Sequence, residues 1–313
     1  MKPNLLASVA FVALLLPLAL FLPLPLYLFS LALFGLPHIV WEMGYLRSRY
    51  AARWPRRWWY AVGLVLLLQA GMRAGTWLGA IPPASSLIAD WLALLLLMLA
   101  LVLAPFRTGW GVRIAGLFLA SAVLWMFEQG DFLAALMVLA IAHNFTPLAM
   151  AWDLARDHPP ARTLAWTVTG FFMLPLLVAA SSWAAEFAPS VFASFAPFLN
   201  GQLPAKWGGA YRPALLSAMV LAQCLHYYSV IHLLPGAERQ RTGWPVVTPA
   251  VRLGTVLAVI LLLAYFQADY GAARKLYAVA AGAHAWLEWP VLLMAFFCVA
   301  GRPRAVALGK QAL

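Results

Sequence analysis

Charge is what this chain has least of. Only 10% of its 313 residues are Asp, Glu, Lys or Arg, against roughly a quarter in a soluble domain. With 65% of residues hydrophobic, there is too little polar side chain to cover a water-soluble fold of this length, so a soluble globular protein is excluded. Cysteine is almost absent. Cys224 and Cys298 both sit in apolar runs without CxxC spacing, which excludes a disulfide framework and a cysteine zinc site and leaves them as apolar packing residues. No low-complexity tract or internal repeat is visible. The formal net charge of +11 does not indicate nucleic acid as a partner. A nucleic-acid surface gathers Lys and Arg on one face, whereas here they fall in short connections between apolar runs.

What the chain has is apolar runs of membrane-crossing length, roughly 20 residues each. Ten are predicted, at 4–22, 25–46, 58–79, 86–105, 111–127, 131–152, 163–182, 213–234, 250–268 and 273–299. The first is read as a retained helix rather than a cleaved signal peptide, because no small-residue cleavage site follows it. Only Pro23 and Pro25 separate it from the second. With the N-terminus in the cytoplasm, sixteen basic residues fall on the inner side, including Arg47, Arg49, Arg53, Arg56 and Arg57. Five fall outside: Arg73, Lys206, Arg212, Arg274 and Lys275. This positive-inside asymmetry predicts an all-α, polytopic helical bundle of about ten transmembrane helices. Residues 1–313 form one transmembrane domain with both termini cytoplasmic, located in the cytoplasmic (inner) membrane of a bacterium. The connection 183–212 carries Trp183, Phe187, Phe192, Phe195, Phe198 and Trp207 and is expected to lie in the headgroup plane or to pack as an outer loop.

Against this background polar residues inside the runs stand out, because ionisable groups in hydrocarbon are costly and mark function. His38, His143, His226 and His284 lie in the second, sixth, eighth and tenth runs. All four runs point inward under the predicted topology, and the histidines sit about 13, 12, 13 and 11 residues from their outer ends. At roughly 1.5 Å per residue they share one layer near the bilayer midplane. Two carry the same appendage, His38-x-x-x-Glu42 and His284-x-x-x-Glu288, a spacing that stacks both side chains on one helix face. Each glutamate is expected to bind a metal directly or to orient a ligand histidine. Gln223 and Asn144 flank His226 and His143 as additional candidates, as does His232, although it is turned about 120° from His226 around the helix. His158 is read as solvated. Trp41, Tyr227, Tyr228, Trp286 and Trp289 are expected to line an apolar pocket near the histidines or to serve as bundle packing. Pro37 and Pro147 are expected to loosen the helices beside two of the histidines.

Imidazole accepts zinc, copper, iron and nickel alike, so ligand type alone does not choose the metal. The stretch Gly35-Leu36-Pro37-His38-Ile39-Val40-Trp41-Glu42 resembles the Leu-Pro-His-Gly-x-x-Asp signature of the Brp/Blh family, with Ile39 in place of the Gly and Glu42 in place of the Asp. Members of that family are membrane-embedded, iron-dependent enzymes that cleave β-carotene to retinal. The resemblance implies iron as cofactor, His38 as a ligand and Glu42 at the Asp position. The resulting expectation is a membrane non-haem metal oxygenase or oxidase. Histidines hold mono- or dinuclear iron, Glu42 and Glu288 have catalytic roles, and O2 and a lipophilic small molecule are the substrates. No NAD(P)H- or ATP-binding domain is visible, so electrons come from a partner, a quinol or the substrate. Two other readings stay open: a haem protein of electron transfer or quinol oxidation, and a transporter using the His/Glu layer as a relay.

Overall fold

A computed structural model describes residues 5–52, 54–103, 110–128, 132–181 and 212–297. The headgroup-plane segment expected at 183–212 lies almost entirely outside the described residues, as does Cys298. Among the described residues the chain is all-helical. In order the helices are α1 (Leu5–Phe21), α2 (Pro23–Tyr50), α3 (Arg56–Trp77), α4 (Pro83–Val102), α5 (Trp110–Glu128), α6 (Phe132–His143), α7 (Thr146–Asp157) and α8 (Arg162–Ala180). After the undescribed stretch come α9 (Arg212–Tyr228), a π-turn (Ser229–Leu233), α10 (Leu234–Thr242), α11 (Pro249–Ala268) and α12 (Tyr270–Phe297). Five helical stretches are long and apolar enough to cross a membrane: Pro23–Tyr50, Pro83–Val102, Pro159–Ala180, Arg212–Thr242 and Pro249–Ala268.

The bundle is apolar outside and selectively polar inside. Leu6, Leu67 and Leu261 are each more than 70% exposed, while Gln69, Asp90, His226 and Glu288 are buried. Water would penalise such a surface, and hydrocarbon accepts it. Proline punctuates the helix starts: Pro23, Pro83 and Pro249 take first-turn positions, where the missing N–H is no loss.

The weak break between the first two runs is a true reversal. The chain leaves helical geometry only at Leu22 (φ −133°, ψ 46°). Ser8, fourteen residues before it, hydrogen-bonds the Tyr228 hydroxyl at 2.8 Å, and His38, sixteen residues after it, stacks on Tyr227. A straight helix would hold Ser8 and His38 about 45 Å apart; meeting adjacent residues of α9 requires α1 and α2 to fold back as a hairpin. The sixth run is two helices rather than one. Asn144 and Phe145 form a turn, and Pro147 in the first turn of α7 has no N–H to continue the ladder.

Two arginines counted as topological signals belong to ion pairs within the bundle instead. Arg73 of α3 meets Asp90 of α4 at 2.6 Å. Arg49, near the C-terminal end of α2, is fully buried against Asp153 of α7.

Candidate metal centre

α2, α6, α9 and α12 bring His38, Glu42, His143, His226 and His284 to one point. One donor atom from each lies within 4.8 Å of all the others, and all five residues are buried. The imidazoles contact one another ring to ring. His38 stands edge-on to His226 at 5.4 Å and to His284 at 4.9 Å. His143 lies 4.7 Å from His226 and 4.9 Å from His284, centroid to centroid.

Local structure aims each ring. The Nδ1–H of His38 donates to the Phe34 carbonyl one turn back, at 3.2 Å. That leaves the Nε2 lone pair turned inward, 3.1 Å from Nε2 of His284. Behind His38, the Tyr227 ring stacks at 4.2 Å and stops the imidazole from swinging away. His143 is the last residue of α6, where the Thr146 hydroxyl caps its carbonyl at 2.8 Å. A helix C-terminus carries partial negative charge, so the break at Asn144 places that pole beside the cluster. On α9, His226 sits three residues before the π-turn, a distortion of the kind concentrated at functional sites.

The glutamates pair across helices rather than with the histidine one turn away. Glu42 Oε2 lies 3.2 Å from His226 Nε2 and 3.8 Å from His284 Nε2. Glu288 Oε2 lies 2.9 Å from His143 Nδ1, although the two are not aligned as a hydrogen bond. Glu42 is thus a member of the ring of donors, while Glu288 stands outside it and reaches His143 alone. Glu42 Oε1, both Glu288 oxygens and the Nδ1 atoms of His143, His226 and His284 are buried without a hydrogen-bond partner among the described residues. Each such group costs about 1–3 kcal/mol when left bare. Two inward-facing Nε2 atoms at 3.1 Å also repel unless a proton or cation lies between them. The donor set therefore fits a metal ion. Donors sharing one ion at roughly 2.1 Å each are at most roughly 4.2 Å apart; the 3.1, 3.2 and 3.8 Å separations among His38, His226, His284 and Glu42 satisfy this, and the full set, within 4.8 Å, closes on one ion with a small inward shift.

The remaining candidates take other positions. His232 does not join the cluster. The π-turn carries it to an exposed position with its ring against Tyr228. Gln223 donates to the Ser30 hydroxyl at 3.0 Å, and Asn144 to the Ala140 carbonyl at 3.3 Å; both line the adjoining cavity without entering the cluster. Of the aromatic candidates, Tyr227 and Trp286 line that cavity. Tyr228 turns to α1 and stacks on Phe11, Trp41 lies under Arg252, and Trp289 faces Leu94 and Met98.

The cavity, about 470 Å³, is the pocket expected beside the histidines, but only Tyr227 and Trp286 of the expected aromatic lining reach it. Besides His38, His143 and His284 it is lined by Tyr27, Arg73, Asp90, Arg274 and Tyr277, none of which was among the candidate site residues. The only sequence signal was their polarity in otherwise apolar surroundings. Arg73 crosses α12 over Gly282, where an added Cβ would meet its Nε at 2.7 Å. Arg73 is not free to withdraw: it donates to both Asp90 oxygens and to the Ala278 carbonyl. Gly282→Ala is therefore expected to destabilise the protein by about 1–3 kcal/mol through overpacking, seen as a lowered thermal midpoint of the purified protein. An unchanged midpoint would show that the guanidinium can move.

Comparison with known proteins gives no match: no family model, no curated protein and no solved structure is similar to this chain.

Proposed function

We propose that the chain is a ten-span membrane protein with both termini cytoplasmic, in which His38, His143, His226, His284 and Glu42 hold one non-haem iron ion for an oxygenase or oxidase acting on a lipophilic substrate. The carrying observation is the convergence of five buried donor atoms from four helices within 4.8 Å. The charges support a divalent ion. A divalent cation would match the two carboxylates, Glu42 and Glu288, that the centre buries beside its four imidazoles. The ring contacts favour a bare ion over haem, since imidazoles already touching one another leave no flat slot for a macrocycle. Iron is preferred among imidazole-binding metals because of the likeness of the His38/Glu42 segment to the Brp/Blh signature.

When bound, iron supplies the redox chemistry that activates O2 toward an apolar molecule. The chain does the rest. The Phe34 carbonyl and Tyr227 hold His38 in one tautomer and orientation. Glu42, shared between His226 and His284, fixes both rings and neutralises charge. Glu288, with both oxygens unpartnered, is placed to hold or exchange a proton at His143 Nδ1. Burial of all six residues keeps bulk water from the centre, and the cavity connects it to incoming ligand.

Metal analysis and the visible spectrum of protein purified from iron-replete cells test this. One iron per chain without a Soret band is expected. A Soret band would move the assignment to a haem protein, and metal-free protein with all four histidines intact would favour the transport relay.

A further inference from the structure

We propose that the cavity beside the histidine cluster binds a single-chain lipophilic molecule with a hydrogen-bond-accepting oxygen head, held at Arg73. The lining is mixed: His38, His143 and His284, the apolar Leu31, Ile141 and Met219, and the charged Arg73, Asp90 and Arg274. Along α12, Arg274 precedes His284 by ten residues, roughly 15 Å of helix rise, while Arg73, over Gly282 and on the Ala278 carbonyl, lies nearer the histidines. The volume of about 470 Å³ lies within the roughly 300–1,000 Å³ of small-molecule sites.

The hydrogen-bond inventory at Arg73 selects the head. Three of the roughly four acceptor sites of Asp90 are taken: Oδ1 takes Gln69 and the Arg73 Nε–H, both at 2.8 Å, and Oδ2 takes Arg73 Nη2 at 2.6 Å. The Ala278 carbonyl takes Arg73 Nη1 at 3.2 Å. Arg73 carries five N–H groups, so two remain beyond these three, on a guanidinium locked between Asp90 and Gly282. Arg73 thus has donors to offer, while most of the acceptor capacity of Asp90 is already taken. A carboxylate or carbonyl oxygen complements Arg73, an ammonium head opposes it, and a bare hydrocarbon leaves the donors unmet. Leu31, Ile141 and Met219 of the lining then accept the apolar chain. This deepens the iron-oxygenase reading by naming its substrate class, while binding itself needs no metal.

The test uses the full-length protein in zwitterionic lipid nanodiscs, with thermal unfolding and iron content measured on the same samples. Four ligands of equal chain length are compared: decanoate, 2-decanone, decane and decyltrimethylammonium. Decanoate, 2-decanone or both are expected to raise the midpoint by several degrees, with decane and the ammonium having little effect. Arg73→Lys keeps a charge opposite Asp90 but loses the spare guanidinium donors; it is expected to erase the difference between heads while retaining iron. Met219→Trp, which fills part of the cavity, is expected to abolish all shifts. Equal midpoints for the four ligands, or a head preference that survives Met219→Trp, overturn the proposal. If the midpoint stays still while iron remains at one per chain, only the amphiphile assignment fails. If the head preference holds in protein that never binds iron, only the iron reading fails.

Discussion

Replacing His226 with alanine is expected to strip the metal from the protein, leaving less than about a tenth of an iron per chain after purification. His226 is wholly buried and its Nε2 is the nearest partner of Glu42 Oε2. The variant loses a donor and also leaves Glu42 beside a void, with only His284 at 3.8 Å. The loss should therefore exceed the 10–100-fold in metal affinity typical of removing a group that merely orients a ligand. Stability follows by mass action: an ion bound at a thousand times its dissociation constant contributes about 4 kcal/mol, so the midpoint of His226→Ala should fall to that of chelator-treated wild type. His232→Ala is the matched control, six residues along the same stretch of helix but outside the cluster, and should keep full metal. Equal metal in both variants would remove His226 from the ligand set and, with it, the centre as described.

Asp153→Asn is expected to cost about 3–5 kcal/mol, the range for stripping one partner from a buried ion pair. The site lies where the end of α2 meets α7. Arg49 donates to the Asp153 carboxylate and, at 2.6 Å, to its backbone carbonyl. Tyr50 and Arg156 donate to the same carboxylate at 2.9 and 2.6 Å. The amide keeps the shape and removes the charge, leaving a fully buried guanidinium with the half-exposed carboxylate of Asp157 at 3.1 Å. Removing both charges in Arg49→Met/Asp153→Leu should recover at least half of the loss, since neither ion then needs compensation. Denaturant titration in mixed micelles distinguishes the cases. A double variant no better than Asp153→Asn would assign the cost to packing rather than charge. Because α2 also carries His38 and Glu42, slippage at this joint should weaken metal retention as well.

Much of the helical framework was legible in the residues. Apolar runs separated by charge and proline can hardly be anything but helices in a solvent that leaves backbone polar groups unsatisfied, and proline and basic residues mark where such runs end. The meeting of His38, His143, His226 and His284 was legible too, because equal spacing from the run ends sets equal depth. What sequence spacing does not carry is rotation about each helix axis and the identity of the neighbour it faces. The i,i+4 pairs placed Glu42 with His38 and Glu288 with His284; packing instead gave Glu42 to His226 and Glu288 to His143, because a side chain's partner is whichever group the adjacent helix presents. The break after His143 was foreshadowed by Pro147, and the π-turn after His226 precedes Pro235; His232, already turned from His226 by helix geometry, lies outside the cluster. The ion pairing of Arg49 and Arg73, which read as topological signals, was decided by Asp153 and Asp90 on neighbouring helices. So was the cavity, since its lining comes from helix segments scattered from Tyr27 to Trp286. Helix content and depth are set by the chain's own hydrophobicity, one residue at a time. Partnership, enclosure and pairing of charge are properties of the assembled bundle.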